Sequence, residues 1–295
     1  MDVDTFIITV FCWMDDTLKT MFKGQRLRPR GPEPNLSDAE VLTMEVVGEY
    51  LGLGQDQFLY QYFRRHYTHF FPALGRVHRT TFIRQGANLW KVKELVWRQL
   101  LDSVPYDPTF ALVDSFPLPV CQFARAYRCR RFKGEAAFGW DTLVPQTFYG
   151  FRVHVRWCWP GVITRFDIAP ANVHETTVVP ELVAGTHGLL VGDRNYWNPA
   201  LKAELAQGAL QLEAPFRKAS SDPWPKRSAL LSRVRYRIDT TFGQLVDRYQ
   251  VKRVWAKDSW HLHSRILRKV LSHTMALFLN QAQGNPPMQL ARLVS

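Results

Sequence analysis

The chain has 295 residues, 46% of them hydrophobic and 13% aromatic, with a formal net charge of +12; that is enough apolar material for one large or two modest cores, and the charge points to a polyanionic partner, nucleic acid first. Four cysteines without a C-x-x-C pair (Cys12, Cys121, Cys129, Cys158) argue against a disulfide framework or a zinc knuckle and predict small core thiols in a reducing cytosol, while the short apolar run Phe6 to Met14, preceded by Asp2 and Asp4, predicts neither a signal peptide nor a membrane span. No G-x-S-x-G elbow, Walker loop or H-E-x-x-H motif occurs, so serine hydrolysis, ATP-driven work and zincin chemistry are poor fits.

In chain order, the basic, Pro- and Gly-rich stretch from Lys23 to Pro34 reads as a linker. Ser37 with Glu40 makes a capping box, and Val41, Met44, Val47 and Leu51 follow at helical spacing. A second helix is expected near Gln55 to His66. A third is expected from Arg79 to about Leu100, with Phe82, Leu89, Val92, Leu95 and Val96 on one side. Basic residues cluster at the ends of these helices (Arg64, Arg65, Arg76, Arg79, Arg84), which suits either a helix-turn-helix-like DNA reader or a plain helical support.

Ser103-Val-Pro-Tyr-Asp-Pro108 marks a change of period and divides an expected helical region, 1–104, from an expected catalytic domain, 105–295. Thr109 to Asp114 reads as a buried strand ending in an acid. Phe148 to Trp157 and Val162 to Ala169 read as a hairpin-like pair around Pro160-Gly161. A helix over His174 to Ala184, interrupted or kinked at Pro180, precedes a second short strand ending in an acid, Gly188 to Asp193. A weaker strand, Leu210 to Ala214, and a long helix, Leu230 to Arg253, complete a mixed α/β sheet covered by helices.

The two strand-end acids are costly to bury without a partner or a metal. Clustered carboxylates are what two-metal phosphodiester cleavage needs, because a hard cation such as Mg²⁺ takes oxygen ligands. A third acid is expected on the last helix. Asp239 borders the stripe Ile238, Phe242, Leu245, Tyr249, with Arg235 one turn earlier to hold a phosphate; the bland alternative is a solvated acid paired with that arginine. Fourteen Lys and Arg against four Asp lie between Arg217 and Lys269, a concentrated basic stretch that also carries Trp224, Trp255 and Trp260. Those tryptophans either stack on bases or fill a core. Arg152 and His154 alternate on one strand and so share a face; His154 reads equally as a hydrogen-bonded core histidine. The segment Arg125 to Lys133, with Tyr127 and Phe132, is either a loop that grips DNA beside the acids or a solvated basic loop.

Together Val113-Asp-Ser-Phe-Pro117, Tyr149-Gly-Phe-Arg-Val-His154, Ala171-Asn-Val-His174, Gly192-Asp-Arg-Asn-Tyr196 and Arg237-Ile-Asp-Thr-Thr-Phe242 resemble the DDE transposases of bacterial insertion sequences, most closely the insertion-sequence family designated 982. The resemblance, spanning about residues 37 to 280, implies a ribonuclease-H-like sheet flanked by helices and preceded by an all-helical region. It implies that Asp114, Asp193 and Asp239 hold two Mg²⁺ or Mn²⁺ ions. It further implies that Lys133, Arg152, His154, Arg194, Arg235, Arg237, Lys252 and Arg253 meet double-stranded DNA, namely terminal inverted repeats and target DNA. A homodimer on DNA, in the cytoplasm at the nucleoid and away from membranes, is the expected working form. The resemblance also raises His174 above background. The family usually has Glu where this chain has Asp239, which leaves Asp247 and Glu213 as fallback third acids. It also leaves two other readings open, a non-catalytic DNA-binding copy and a ribonuclease-H-like nuclease without strand transfer.

Overall fold

The computed structural model describes residues 1–25, 27, 31–142 and 144–294, so part of the linker expected over 23–34 lies outside the described residues. The chain divides into two compact units, Met1–Val104 with Asp247–Ser295, and Pro105–Val246. The first unit begins with α1 (Val3–Phe22), capped where Asp2 accepts from the Thr5 amide at 2.7 Å, and burying Phe6, Ile7, Val10 and Met14. Helix α2 (Asp38–Tyr50) carries the expected capping box: the Glu40 amide donates to Ser37 Oγ at 3.1 Å and the Ser37 amide to Glu40 Oε2 at 2.6 Å. Helix α3 spans Asp56–His66. The single helix expected over Arg79 to Leu100 is two, α4 (Arg79–Asn88) and α5 (Trp90–Leu101). The break falls at Leu89, whose amide closes a tight turn onto Gly86 O and whose buried side chain anchors the joint.

The second unit is a six-stranded mixed sheet with helices on its faces, an α/β fold of ribonuclease-H-like type. Its strands are β1 (Phe110–Pro119), β2 (Ala137–Asp141), β3 (Gln146–Cys158), β4 (Val162–Pro170), β5 (Gly188–Val191) and β6 (Leu210–Glu213), with helices α6 (Glu175–Leu182), α7 (Pro199–Gln207) and α8 (Pro225–Asp247). The order is β2-β3-β1-β5-β6, with β4 also paired to β3. Strand β1 does not stop at Asp114: Ser115 to Pro119 pair antiparallel with His154 to Gly150 of β3, so the acid sits mid-strand. Gly150 lies where β2, β3 and β1 meet, and a Cβ there would stand 2.2 Å from Leu118 O. Ala111 and Val113 join one apolar cluster with residues of α6 and α7. Leu112, Asp114 and Phe116 face the other way, where Phe116 packs edge-on against Phe242 of α8. Trp157, opposite Leu112, donates to Thr241 of the same helix at 2.7 Å. Helix α8 starts earlier than expected, at Pro225, and ends at Asp247, with Gln250 in the left-handed region at φ 48°.

Residues from Asp247 onward group with the N-terminal helices, which alters the boundary expected for a catalytic domain over 105–295. The cause is α9 (Ser259–Ala282), which packs on α2 and α5 and is buried almost all round. A helix buried on every side has no amphipathic stripe to read. Among the described residues no helix is long and apolar enough to cross a membrane.

Inside this unit lies a buried ionic network. Arg268 reaches Glu49 at 2.5 Å and Asp56 at 2.8 Å, Lys269 reaches Glu49 at 2.6 Å, and Lys93 of α5 reaches Glu45 of α2 at 2.6 Å. Burial works to raise the Asp56 carboxyl, yet Arg268 and Arg265 outweigh it and hold it well below the usual range. Burial lowers Lys93 and Lys269, and their glutamate partners oppose it. Such a network is sensitive to the loss of one member, because the survivors keep their desolvation cost without their attraction. Glu49→Leu, which strands Arg268 and Lys269, is expected to cost roughly 3–5 kcal/mol in urea denaturation. Arg98→Ala, which breaks an exposed pair with Glu94, is expected to change the midpoint little.

Candidate active site

Strands β1 and β5 run parallel with Leu112 opposite Val191, so two residues further on Asp114 and Asp193 come level. Neighbouring strands lie ~4.8 Å apart, which brings the two carboxylates into each other's field. The Gly192 amide donates to Glu213 O at 3.0 Å and carries the chain one residue past the end of β5. Asp193 then caps a short 3-10 turn, accepting from the Asn195 amide at 2.8 Å. Glycine is required at 192, since a Cβ there would fall 2.7 Å from the Cβ of Tyr196, which turns back beneath it.

Asp114 is buried, its Oδ1 accepting from the Ser115 amide at 2.8 Å and its Oδ2 from Arg235 Nη1 at 2.6 Å. Its carboxyl is pushed up to about 7, by burial first, with Arg235 opposing and the Asp193 and Glu175 charges adding to the rise. Asp193 is raised too, by burial and then by Glu175.

Glu175, which is not among the acids expected for the site, is the first residue of α6 after the His174 cap, and the tertiary fold brings its charge within reach of the two aspartates. Ser115 Oγ donates to its Oε1 at 2.7 Å, and Arg152 Nη1 lies 3.4 Å from the same oxygen. Its Oε2 is buried and has no hydrogen-bond partner among the described residues. The Tyr196 hydroxyl is likewise buried without a partner, and its pKa is raised by burial and then by the Glu175, Asp114 and Asp193 charges. A Glu following a capping His one turn after a sheet strand was the only available signal, and it is a weak one.

Asp239 stands differently. It meets Arg235 Nη2 at 3.5 Å, on the side away from Asp114's contact, and is 38% exposed. Its carboxyl is raised by burial and lowered by Arg235. Of the fallback acids, Glu213 is tied to Lys202 at 2.7 Å and to Arg227, while Asp247 is exposed. Arg152 is engaged by protein groups, donating to Ser115 Oγ at 3.2 Å and to Trp140 O at 2.6 Å. His154, expected to face DNA, is 1% exposed; burial lowers its imidazole to about 4 and its Nε2 has no partner. It lies inside because β3 is flanked by β1 and β4 and α6 packs over the face that His154 shares with Ser115. Lys133, Arg194 and Arg237 are exposed, Arg237 lying over the Trp159 ring at 5.3 Å, and Lys252 and Arg253 belong to the helical unit. Of the cysteines only Cys158 is buried, which corrects the expectation of mostly core thiols. Trp224, Trp255 and Trp260 are exposed.

Whether a divalent cation fits can be judged from the donors. Asp114, Asp193 and Glu175 are all hard oxygen ligands, and the orphaned Glu175 Oε2 is the kind of buried atom that an ion or water satisfies. As the side chains stand, no three His, Cys, Asp or Glu among the described residues are spaced to enclose one ion, and Arg235 supplies the positive charge at Asp114. The chemistry of the donors suits a hard cation, while their spacing in this structure does not enclose one.

Residues 107–257, more than half of the chain, match the family described as "Transposase DDE domain". No curated protein and no solved structure matches the chain.

The raised Asp114 has a consequence for stability. Its folded pKa lies above its unfolded value, so the native state holds a proton that the unfolded chain releases, and stability is lost as pH rises toward 7. Without divalent ions, urea denaturation is expected to give a protein roughly 2–4 kcal/mol less stable at pH 8 than at pH 5 from this group alone. Asp114→Asn is expected to flatten that difference; an unchanged slope would show that Asp114 is not the titrating group.

Proposed function

The chain belongs to the DDE transposase family, and we propose that it cuts DNA at the ends of an insertion sequence and joins those ends to target DNA, as a member of the insertion-sequence family designated 982. The observation that carries this reading is the pair Asp114 and Asp193, the first buried in β1 and the second just past the end of the adjacent parallel strand β5, inside a domain of that family. We assign Asp114, Asp193 and Asp239 as the ligands of two Mg²⁺ or Mn²⁺ ions, with Glu175 as a further carboxylate beside the first two. When bound, such ions lower the pKa of an attacking water and neutralise the leaving oxygen.

The chain's own residues do the rest. Arg235 compensates Asp114 while the site lacks cations, and its guanidinium turns to a phosphate oxygen when the carboxylates are otherwise neutralised. Ser115 and Arg152 fix Oε1 of Glu175, and Oε2 keeps its acceptor capacity free of hydrogen bonds from the described residues. Buried surroundings strengthen each of these fields, so catalysis rests on positioning and charge. Water attacks the phosphodiester at the element end, and the 3′-hydroxyl so freed attacks target DNA in a second in-line displacement. The helical unit reads terminal repeats, a homodimer holds the two ends, and the work is done in the cytoplasm on nucleoid DNA.

One observation favours a second reading. Asp239, where the family usually has Glu, is partly exposed and touches Arg235, as in a non-catalytic DNA-binding copy. Incubation with labelled terminal-repeat DNA and Mn²⁺ separates the readings: cutting with joining supports transposition, cutting alone a nuclease, and binding without cutting the decayed copy.

In that assay Asp114→Asn and Asp193→Asn are expected to abolish cleavage with DNA affinity kept or raised, since the amide loses metal affinity and also loses repulsion toward phosphate. Glu175→Gln is expected to slow cleavage about 10- to 100-fold. Asp239→Ala is expected to eliminate it, Asp239→Glu to keep or raise it, and Asp247→Ala to leave it alone. Wild-type rates in Asp239→Ala would remove Asp239 from the ligand set.

Affinity for duplex DNA is expected to fall steeply with salt, by about 0.9 in log–log slope for each phosphate neutralised. The basic stretch from Arg217 to Lys269 motivates this. A flat plot would argue against a nucleic-acid partner.

A further inference from the structure

Four aromatic side chains stand out of the sheet unit together. Phe123 and Tyr127 lie on the 3-10 turn that follows β1; Phe138 and Trp140 lie on one face of β2, two residues apart. All four are exposed, Tyr127 by 82%. Three of them are in ring contact, Tyr127 lying 5.2 Å from Phe138 at an interplanar angle of 36° and Phe123 6.4 Å from each of them, and Trp140 continues the same face of β2. A contiguous exposed aromatic patch on a charged protein marks a binding surface rather than a spare core.

Charge decides the kind of partner. Between Arg125 and Lys133 the chain carries five cations and no acid, and all five are exposed. Rings beside cations suit a ligand that offers flat faces and phosphates together. In a duplex the faces of the bases are spent on one another, whereas an unpaired nucleotide presents its own. Position decides which nucleotides. Arg152 donates to Trp140 O at 2.6 Å and to Ser115 Oγ at 3.2 Å, so a single guanidinium joins β2 to the residue next to Asp114.

We propose that Phe123, Tyr127, Phe138 and Trp140 form a stacking shelf for unpaired nucleotides of the DNA strand leaving the acid site. The proposal rests on the DNA-cutting reading and adds the form of DNA that the enzyme holds next to the cut. The basic turn neutralises the phosphates while the rings take the bases.

The test is fluorescence anisotropy of the full-length protein with three probes: a labelled oligothymidylate, a strand of equal length in abasic residues, and a duplex. Tyr127→Ala, at so exposed a position, leaves the fold intact. It is expected to weaken oligothymidylate binding about tenfold and to leave abasic and duplex binding unchanged; Tyr127→Phe is expected to restore it. No loss in Tyr127→Ala, or an equal loss on the abasic strand, overturns the shelf while duplex binding and cleavage by the wild type keep the wider reading standing. Failure of the wild type to bind any of the three overturns both.

Discussion

A carboxylate placed in the middle of a central β-strand has to be compensated, and much of the sheet unit is arranged around the compensation of Asp114. The strand supplies the Ser115 amide, and α8 supplies Arg235. That contact orients α8 against the face that carries Leu112 and Phe116, where Phe242 and Thr241 complete the packing. Parallel pairing with β5 then adds a second acid at the same level, and α6 adds a third from the opposite face. Burial first, and then the like charges of Asp193 and Glu175, push Asp114 up to about 7 even with an arginine on it. A site in that state draws positive charge, and the family to which the chain belongs works on a substrate that brings cations and phosphates with it.

The helical unit solves a similar problem differently. There the acids Glu45, Glu49 and Asp56 are matched by Lys93, Arg265, Arg268 and Lys269, and the Asp56 carboxyl is held down instead of up. Matched buried ions fix which helices lie together, because a shifted register strands a charge. At the acid site of the sheet unit Asp114, Asp193, Glu175 and Asp239 gather around Arg235 and Arg152, and the surplus of acids is where chemistry is proposed. The contrast between a balanced cluster and an unbalanced one separates structural from functional burial of charge in this chain.

Local signals carried much of the fold. The Ser37–Glu40 capping box, the apolar runs before Asp114 and Asp193, and the turn at Pro160-Gly161 are each made by residues within a few positions of one another, so each is visible in the chain itself. The misreadings have physical causes. Helix α9 shows no stripe because it is buried all round, and Arg79 to Leu100 shows a continuous stripe although Leu89 breaks the helix. For His154 the sequence left a DNA-facing and a core reading equally open, and its burial follows from the packing of α6 on β3 and β4, which no local pattern shows.

By itself, then, the sequence determined the mixed sheet, the apolar strands that lead to Asp114 and Asp193, the basic character and the resemblance to DDE transposases, which the family match bears out at that level, because all of these rest on local pattern or on residue identity. Only the tertiary structure decided which acids share a field. Glu175 and Asp114 are far apart in the chain and come within each other's field because Ser115 binds Glu175 of α6 while its neighbour Asp114 binds Arg235 of α8. Asp239, predicted from its helical stripe, meets the same arginine from the more exposed side. Spacing along one helix fixes an angle about that helix; it does not fix the distance to a strand, which depends on how the two elements pack.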